Sequence, residues 1–342
     1  MTTVIKPTMP TMPNKPKILL ARAIFPEVIT HLEQFFDVES NQDDHIFSST
    51  ELIEKLQDKD GLIATGSEPV SAEVLRACPR LKAVCNQAVG YNNIDVAAAT
   101  KAGVMVTNTP DVLNETTADF GWALLMATAR RITESEHWLR AGKWNKWRFD
   151  SFLGADVHGA TLGVIGMGRI GQAIARRSMG FDMQVLYHNR SRVSPELEAR
   201  ANNARLVSKE ELLRQADHVI LVLPYSKASH HTIGAAELAM MKPGATLVNL
   251  ARGGIVDDVA LIAALREHKI AAAGLDVFEN EPALHPDFLT LSNVVLTPHI
   301  ASASEPTRRA MAACAAANLL AALLPAAAGA LPPNLLNPEV KR

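Results

Sequence analysis

The chain is poor in several kinds of residue, and each shortage excludes a class of protein. It has only 3 cysteines, Cys78, Cys85 and Cys314, and neither their spacing nor their odd number suits a zinc site or a disulfide framework. The formal net charge is only −2, so no excess charge draws nucleic acid or an anionic membrane to the protein. We therefore expect a cytoplasmic protein with no metal site, no nucleic-acid partner and no membrane partner.

Long apolar runs are also missing. No stretch approaches the roughly 20 apolar residues that a membrane-spanning helix needs. Residues 1–16 are rich in Pro and Thr and lack the apolar centre of a signal peptide, so we expect a flexible tail there. What remains is ordinary for a globular protein: 342 residues, 48% hydrophobic and 20% charged, enough for about two domains.

Short apolar runs alternate with helical stretches in two series along the chain. Strands separated by helices of about 10–15 residues are typical of parallel βαβ units. The sequence therefore predicts an α/β fold with two doubly wound parallel sheets, of which the second has the six strands of a dinucleotide-binding unit. The expected strands are 17–22, 61–65, 81–87 and 103–108 in the first series, and 160–166, 184–189, 218–224, 245–251, 271–277 and 293–298 in the second.

Three longer segments complete the expected organisation. The helical pattern after the first series runs without a break from Asn114 to about Arg140, and an Ala-rich helix is expected over roughly Glu305–Leu324. The Pro-punctuated residues 332–342 are expected to lie extended on the surface.

A glycine-rich turn follows the first strand of the second series. In the pattern GMGRIG the first glycine allows a tight bend, the second lets the backbone approach a pyrophosphate, and the third lets the helix pack close to the strand. The helix N-terminus adds free N–H groups and the positive end of its dipole. We predict a dinucleotide site at Gly166, Met167, Gly168, Arg169, Ile170 and Gly171.

The next strand ends in Asn189, followed by Arg190 and Arg192. Proteins that use NAD carry an acidic residue at the Asn189 position to bind the ribose hydroxyl groups. Without that acid nothing repels a 2′-phosphate, and the two guanidinium groups can bind one. The stretch can also be a plain solvated turn. The missing acid favours NADP(H) as the cofactor, with NAD(H) still possible.

Three further polar residues stand at or just after strand ends, in the stretches NLARGGIVDD, GLDVFENEP and LTPHIASAS. They are Arg252, Glu281 and His299. Singly, each has a structural explanation: an arginine in a surface ion pair, a turn glutamate, a hydrogen-bonded histidine. Together they offer three groups. The Arg252 guanidinium can bind a carboxylate or carbonyl oxygen, the His299 imidazole can exchange a proton near neutral pH, and the Glu281 carboxylate can orient that imidazole. Reduction of a 2-keto acid needs these parts besides the cofactor.

Through these motifs the sequence resembles the D-isomer-specific 2-hydroxyacid dehydrogenase family from about Lys17 to Val340. The resemblance also rests on AVGYNNID at residues 88–95. Within the family, HNRSR beside GMGRIG is most similar to NADP-preferring glyoxylate/hydroxypyruvate reductases and 2-ketogluconate reductases.

The resemblance implies roles for single residues. Arg252 matches the substrate-binding arginine, Glu281 the acid paired with the histidine, and His299 the general acid/base. Val89 and Gly90 match the loop whose backbone N–H groups bind the substrate carboxylate. Further candidate contacts of the cofactor are Thr117, Leu223, Pro224, Ala251 and Asp276. The chain departs from many relatives at Asn92, where they carry an acid, and Asn86 either contacts substrate or is structural.

The resemblance also implies how the chain divides and assembles. A discontinuous substrate domain is expected over 17–109 and 299–335, with a dinucleotide-binding domain over 110–298. A Trp-rich arm is expected to form the contact of a homodimer, with core packing as the alternative; its tryptophans are Trp138, Trp144 and Trp147.

The function expected from all of this is NADPH-dependent reduction of small 2-keto acids (glyoxylate, hydroxypyruvate or 2-ketogluconate) to D-2-hydroxy acids. Two alternatives stay open: a non-catalytic NAD(P)-sensing protein on the same scaffold, and a dehydrogenase of another small anion such as formate or phosphite. Glu281 argues against formate, since formate-oxidising relatives carry Gln there.

Overall fold

The computed structural model describes residues 15–324 and 331–340, which form two compact units. The first contains the residues up to Pro110 and those from Arg308 onward; the second runs from Asp111 to Thr307. This division places residues 299–307 in the second unit, whereas the expected boundary lay at 299. All but the last two residues of the tail expected at 1–16 lie outside the described residues. No helix in the described ranges is long and apolar enough to cross a membrane.

The first unit is built on a five-stranded parallel sheet with the order β2-β1-β3-β4-β5. Its strands are β1 (Lys17–Leu20), β2 (Asp37–Ser40), β3 (Gly61–Ala64), β4 (Ala83–Asn86) and β5 (Met105–Thr107). Every residue of the central strand β3 and of its neighbour β4 is buried, as expected of a sheet covered on both faces. Its helices are α1 (Pro26–Glu33), α2 (Ser49–Leu56), α3 (Ala72–Ala77) and α4 (Val96–Lys101).

The second unit contains a seven-stranded parallel sheet. Its strands are β6 (Thr161–Ile165), β7 (Gln184–His188), β8 (Arg205–Leu206), β9 (His218–Leu221), β10 (Thr246–Asn249), β11 (Ala272–Leu275) and β12 (Val294–Leu296). Their order is β12-β11-β10-β9-β6-β7-β8. The strand order reverses between β6 and β9, where doubly wound folds bind ligands.

The helices of the second unit connect these strands. They are α5 (Asn114–Ala129), α6 (Ile132–Arg140), α7 (Arg169–Arg177), α8 (Pro195–Arg200), α9 (Lys209–Gln215), α10 (Ala235–Leu238) and α11 (Asp258–Arg266), with 3-10 turns at Ser178–Phe181 and Pro286–Thr290. A last helix, α12 (Glu305–Leu323), begins in this unit and continues in the first.

The predicted fold class is confirmed: both units are parallel α/β structures. Two strands were missed. The sequence of β2 is DVES, half-exposed and polar, so it carries no apolar signal. The two residues of β8 are too few to show a period.

The prediction of one unbroken helix from Asn114 to about Arg140 is wrong, because the structure has two helices there, α5 and α6. The backbone of Arg131 adopts a left-handed conformation with φ of 53°, which ends α5 and starts α6. The chain that returns past this point explains the break, because the Ala155 N–H donates to the Ala129 carbonyl oxygen at 2.9 Å. Gly154 lies so close that a Cβ there would be 2.3 Å from the same oxygen.

The expectation that residues 332–342 lie extended on the surface is also wrong, as far as they are described. Asn337 is fully buried, and its Oδ1 accepts from the Val106 N–H at 2.9 Å. The Leu336 N–H donates to the Val106 carbonyl oxygen at 2.8 Å. The segment is therefore bonded to β5 in the interior of the first unit.

Candidate active site

Many of the residues singled out in the second unit follow strands of one parallel sheet, so they gather at the carboxyl edge of that sheet. Gly166 follows β6, Asn189 follows β7, Leu223 and Pro224 follow β9, Ala251 and Arg252 follow β10, Asp276 follows β11 and His299 follows β12.

The glycine turn has the geometry that a pyrophosphate site requires. Gly166 adopts a φ of +105°, and a Cβ there would lie 2.8 Å from the Val222 carbonyl oxygen. A Cβ at Gly171 would lie 2.1 Å from the Gly166 carbonyl oxygen, so that glycine lets α7 pack against the turn. Over Gly168 there is open space, with no atom within 4 Å of an added Cβ.

These features fit a dinucleotide. The open space at Gly168 lies at the N-terminus of α7, where unbonded N–H groups and the helix dipole favour phosphate. Met167 is 1% exposed, so any contact it makes with a ligand comes from its backbone. Arg169 pairs with Asp111 at 2.9 Å on the surface, and Ile170 is half-buried.

At the end of β7 the two arginines differ. Arg192 makes a two-pronged ion pair with the buried Glu198, Nε to Oε1 at 2.9 Å and Nη2 to Oε2 at 2.8 Å. Tyr187 donates its hydroxyl proton to the same carboxylate at 2.6 Å. Arg190 is exposed and has no polar partner among the described residues. Asn189 donates to the Ser191 carbonyl oxygen at 3.0 Å. Arg190 thus has an uncommitted guanidinium, whereas Arg192 is held by Glu198.

Glu281 and His299 form a directly bonded pair. Glu281 Oε2 lies 2.8 Å from His299 Nδ1, and Glu281 Oε1 accepts from the Phe278 N–H at 2.9 Å. Burial raises the pKa of Glu281, but the hydrogen bond and charge of His299 and the Phe278 N–H outweigh it, so the pKa lies below its ordinary value. The carboxylate therefore stays ionised at neutral pH. With Nδ1 bonded, His299 has Nε2 left for a ligand, and its side chain is 45% exposed.

Asp276 bonds to residues on both sides of His299. Its Oδ1 accepts from the Thr297 hydroxyl at 2.7 Å and the Ile300 N–H at 2.8 Å, and its Oδ2 accepts from the Ala301 N–H at 2.9 Å. Asp276 is 1% exposed, and burial raises its pKa despite these bonds. Both carboxylate oxygens are thus occupied by the His299 segment, which adopts a left-handed backbone at His299 with φ of 55°.

Arg252 is half-buried without an ion-pair partner among the described residues. Its Nη1 donates to the Ala251 carbonyl oxygen at 2.8 Å, which leaves other guanidinium N–H groups for an anion. Burial lowers its pKa and the charge of Glu281 raises it; an arginine remains protonated in either case. A Cβ at the next residue, Gly253, would lie 1.7 Å from the Phe278 carbonyl oxygen, so the Arg252 loop packs directly on the Glu281 loop.

The remaining candidates occupy varied positions. Thr117 on α5 is 5% exposed and Ala251 is 4% exposed, while Leu223 is half-buried and Pro224 exposed. In the first unit, Val89 and Gly90 lie half-buried in the loop after β4.

Comparison with known proteins decides the family. Residues 122–301 match the D-isomer specific 2-hydroxyacid dehydrogenase, NAD binding domain family. A glyoxylate reductase of Thermococcus onnurineus is 50% identical over 330 residues, covering 95% of this chain and 97% of the relative. The chain belongs to the D-isomer specific 2-hydroxyacid dehydrogenase family. It is an oxidoreductase of that family.

Solved structures agree with the assignment. A glyoxylate reductase from Paecilomyes thermophila superposes with a TM-score of 0.84 at 33% identity, covering 96% of this chain and 100% of that one. An NADPH-dependent glyoxylate/hydroxypyruvate reductase from Sinorhizobium meliloti, in complex with NADP and malonate, gives a TM-score of 0.80 at 34% identity and covers 90% and 93%.

In this member of the dehydrogenase family, sequence reasoning missed groups that act on other residues. Glu198 was overlooked although it holds Arg192, and Asp276 was considered only as a cofactor contact although its oxygens anchor the His299 segment. A signal existed for Asp276, since it follows β11 just as His299 follows β12.

Proposed function

We propose that the chain reduces small 2-keto acids to D-2-hydroxy acids with NADPH, with glyoxylate, hydroxypyruvate and 2-ketogluconate as candidate substrates. The observation that carries the proposal is the bonded Glu281–His299 pair at the sheet edge that also holds Arg252. The names of the relatives, glyoxylate reductase and glyoxylate/hydroxypyruvate reductase, support the same substrate class.

Each residue has a defined task in this proposal. A bound nicotinamide cofactor supplies the hydride for C2 of the keto acid. Arg252 binds the oxygen on which negative charge develops, as a preformed electrophilic group. His299 donates the proton from Nε2 to that oxygen, and Glu281 fixes the ring and stabilises its charged form through Nδ1. In the first unit, Val89 and Gly90 bind the substrate carboxylate through their backbone N–H groups.

The preference for NADP(H) over NAD(H) is proposed from the end of β7. Asn189 carries no charge to repel a 2′-phosphate, and the exposed Arg190 has an uncommitted guanidinium. Arg192 contributes to this preference by its positive charge near the turn, although its fork is bonded to Glu198. Binding of NADP in the Sinorhizobium meliloti reductase supports this choice.

An initial-rate panel tests the proposal. Glyoxylate, hydroxypyruvate, 2-ketogluconate and pyruvate are each supplied with NADPH and, in parallel, with NADH. We expect steady oxidation of NADPH with at least one of the first three acids and a lower kcat/KM with NADH. Cofactor binding without turnover on any acid would contradict the proposal and favour a cofactor-sensing protein. Turnover on formate or phosphite alone would favour the other alternative.

We also propose a homodimer, in which the Trp-rich arm of the second unit is covered by a second copy. Three large side chains of this arm are mostly exposed: Trp144 at 59%, Trp147 at 74% and Phe149 at 85%. An exposed cluster of this size is typical of a protein–protein contact. Trp138 instead packs edge-on against Phe152 at 5.4 Å. Sedimentation equilibrium should give a dimer for the parent and a monomer for a Trp147→Ser, Phe149→Ser variant; a monomeric parent would contradict the proposal.

A further inference from the structure

The loop after β4 is bonded through three consecutive carbonyl groups. The Ala88 oxygen accepts from the Thr109 N–H at 3.1 Å. The Val89 oxygen accepts from Asn108 Nδ2 at 2.9 Å, and the Gly90 oxygen accepts from Asn86 Nδ2 at 2.7 Å. All three donors belong to the ends of the adjacent strands β4 and β5 or the residues just after them, so the three carbonyls are directed toward this end of the sheet.

This direction determines where the amide protons lie. In a trans peptide the N–H of one residue is antiparallel to the carbonyl of the residue before it. The N–H groups of Val89, Gly90 and Tyr91 are therefore directed away from the sheet. Within the described ranges none of these three N–H groups donates a hydrogen bond. Successive unbonded N–H groups on one side of a loop form an anion-binding concavity.

The two asparagines are themselves buried neighbours. Pairing of Cys85 with Thr107 in the parallel register makes Asn86 and Asn108 neighbours at the carboxyl ends of their strands. Asn86 is fully buried and Asn108 is 7% exposed. The Asn108 carbonyl oxygen accepts from Asn318 Nδ2 on α12 at 3.0 Å. The bonds to the loop thus extend into the interior of the first unit.

Asparagine suits this task better than aspartate, lysine or arginine. The loop presents carbonyl oxygens, so the side chain must donate, which an ionised aspartate cannot do. A lysine or arginine would donate but would bring a charge that binds the anion itself. A neutral amide orients the loop and leaves the anion to the backbone.

We propose that Asn86 and Asn108 are positioning residues that direct the Val89, Gly90 and Tyr91 N–H groups toward the substrate carboxylate. The inference rests on the proposed function for the identity of that carboxylate. It adds Tyr91 as a third amide donor and assigns Asn86 a structural action on the loop rather than a contact with substrate.

Kinetics of single variants test the two asparagines. In Asn86→Ala and Asn108→Ala we expect KM for the preferred keto acid to rise about tenfold, equivalent to about 1.4 kcal/mol, with a smaller fall in kcat. The dissociation constant of NADPH should stay within about twofold of the parent. Asn86→Ser, which keeps a shorter donor and disturbs packing less, should give an intermediate KM. A KM within twofold of the parent in all three variants would overturn the proposal.

Asn337→Ala is the matched control. Asn337 is equally buried in the first unit but bonds to Val106 and Val104 instead of the loop. Its loss should lower the stability of the unit and leave KM unchanged. If Asn337→Ala raises KM as much as the loop variants do, the effect is general loss of a buried amide and the proposal fails.

Amide resonances give a readout independent of turnover. Oxalate titrated into the cofactor-free protein should shift the backbone N–H signals of Val89, Gly90 and Tyr91, and the shifts should require much more oxalate in Asn86→Ala. If keto acids are reduced but these signals do not move, the positioning proposal is wrong. If the signals move but no keto acid is reduced, the proposed function is wrong and the amide site stands.

Discussion

The carboxyl edges of the two sheets differ in the kind of group they carry. The seven-stranded sheet ends in ionisable side chains: Arg252, Asp276 and His299 each follow one of its strands. The five-stranded sheet ends at Asn86 and Asn108, which are buried neutral amides bonded to backbone carbonyls. Two parallel sheets of similar construction therefore present charge at one edge and oriented backbone at the other.

The two edges illustrate two ways in which a fold builds a binding site: with ionisable side chains, or with backbone N–H groups that neutral side chains orient. At the charged edge Arg252 and His299 themselves act on the substrate in the proposed function, so protonation matters there. The pKa of Glu281 is lowered against burial mainly by its bond to His299, and burial raises the pKa of Asp276, which holds the His299 segment. At the amide edge the side chains do not titrate and only direct peptide groups. We therefore expect changes at the first edge to alter turnover and pH dependence, and changes at the second to alter substrate affinity.

The largest effect is expected at His299. In His299→Ala no group remains to donate a proton from Nε2, so turnover of the keto acid should fall by about 10²–10⁴-fold, the usual contribution of a general acid. The dissociation constant of NADPH should be nearly unchanged, because the glycine turn is intact. Stopped-flow reduction rates and fluorescence titration of NADPH measure the two quantities. A variant that keeps near-normal turnover would remove His299 from proton transfer and end the distinction between the two edges.

The residues of the charged edge were largely predictable from sequence, because the signal lies in short local motifs. Arg252, Glu281 and His299 stand in short motifs at strand ends, where residue type alone indicates the chemistry. In the structure, Glu281 and His299 are bonded to each other. Their catalytic roles stay predictions until variants are measured.

The amide edge was hardly predictable, because its action depends on tertiary contacts. An asparagine that bonds the Val89 carbonyl from 19 residues away looks like any polar residue after a strand. The same holds for Glu198, since only the folded chain shows that its carboxylate pairs with the Arg192 guanidinium. Side chains that act on other residues leave little signal in residue type or periodicity.

Arg252→Lys should have the next largest effect. A lysine keeps the charge but cannot reproduce the two-pronged contact of a guanidinium with a carboxylate or carbonyl oxygen. We expect KM to rise and kcat to fall together, with kcat/KM lower by about 10²-fold, equivalent to about 2.7 kcal/mol. Loss in both constants would set the charged edge apart from the amide edge, where KM alone should respond strongly. Kinetics like those of the parent would show that Arg252 does not bind the substrate oxygen in the proposed way.

Asp258 extends the comparison to stability. It is the first residue of α11, 6% exposed, and its Oδ2 accepts from the Glu279 N–H at 3.1 Å. Burial, with the charges of Glu279 and Asp257, raises its pKa from 3.8 to about 6. The folded state thus holds this proton more tightly than the unfolded chain does. The contribution to stability is present below about pH 4 and is lost as the pH rises through about 6.

Asp258→Asn should remove that loss. Relative to the parent, the variant should gain stability between about pH 4 and pH 6 and keep the gain above, by at most about 3 kcal/mol for a shift of about two pKa units. Part of it will be lost because an amide is a weaker acceptor for the Glu279 N–H, so we expect about 1–2 kcal/mol. Urea unfolding at pH 4 and pH 8 measures it, with the exposed Asp43→Asn as control. A gain that is equal at both pH values would show that ionisation of the buried Asp258 carboxyl is not its cause.

The smallest effect is expected just after β7, where Arg190 offers an unpaired charge among the described residues and Arg192 forms a structural ion pair. Arg190→Ser removes an exposed guanidinium without a partner among the described residues, so KM for NADPH should rise about tenfold, about 1.4 kcal/mol, while KM for NADH hardly changes. Arg192→Ser breaks the pair with Glu198 and frees that carboxylate near the turn, which should lower stability and weaken both cofactors, NADPH more than NADH. The ratio of kcat/KM for the two cofactors measures the difference. If Arg190→Ser weakens NADPH and NADH equally, its charge does not select the phosphate, and the proposed active groups of the charged edge are confined to Arg252, Glu281 and His299.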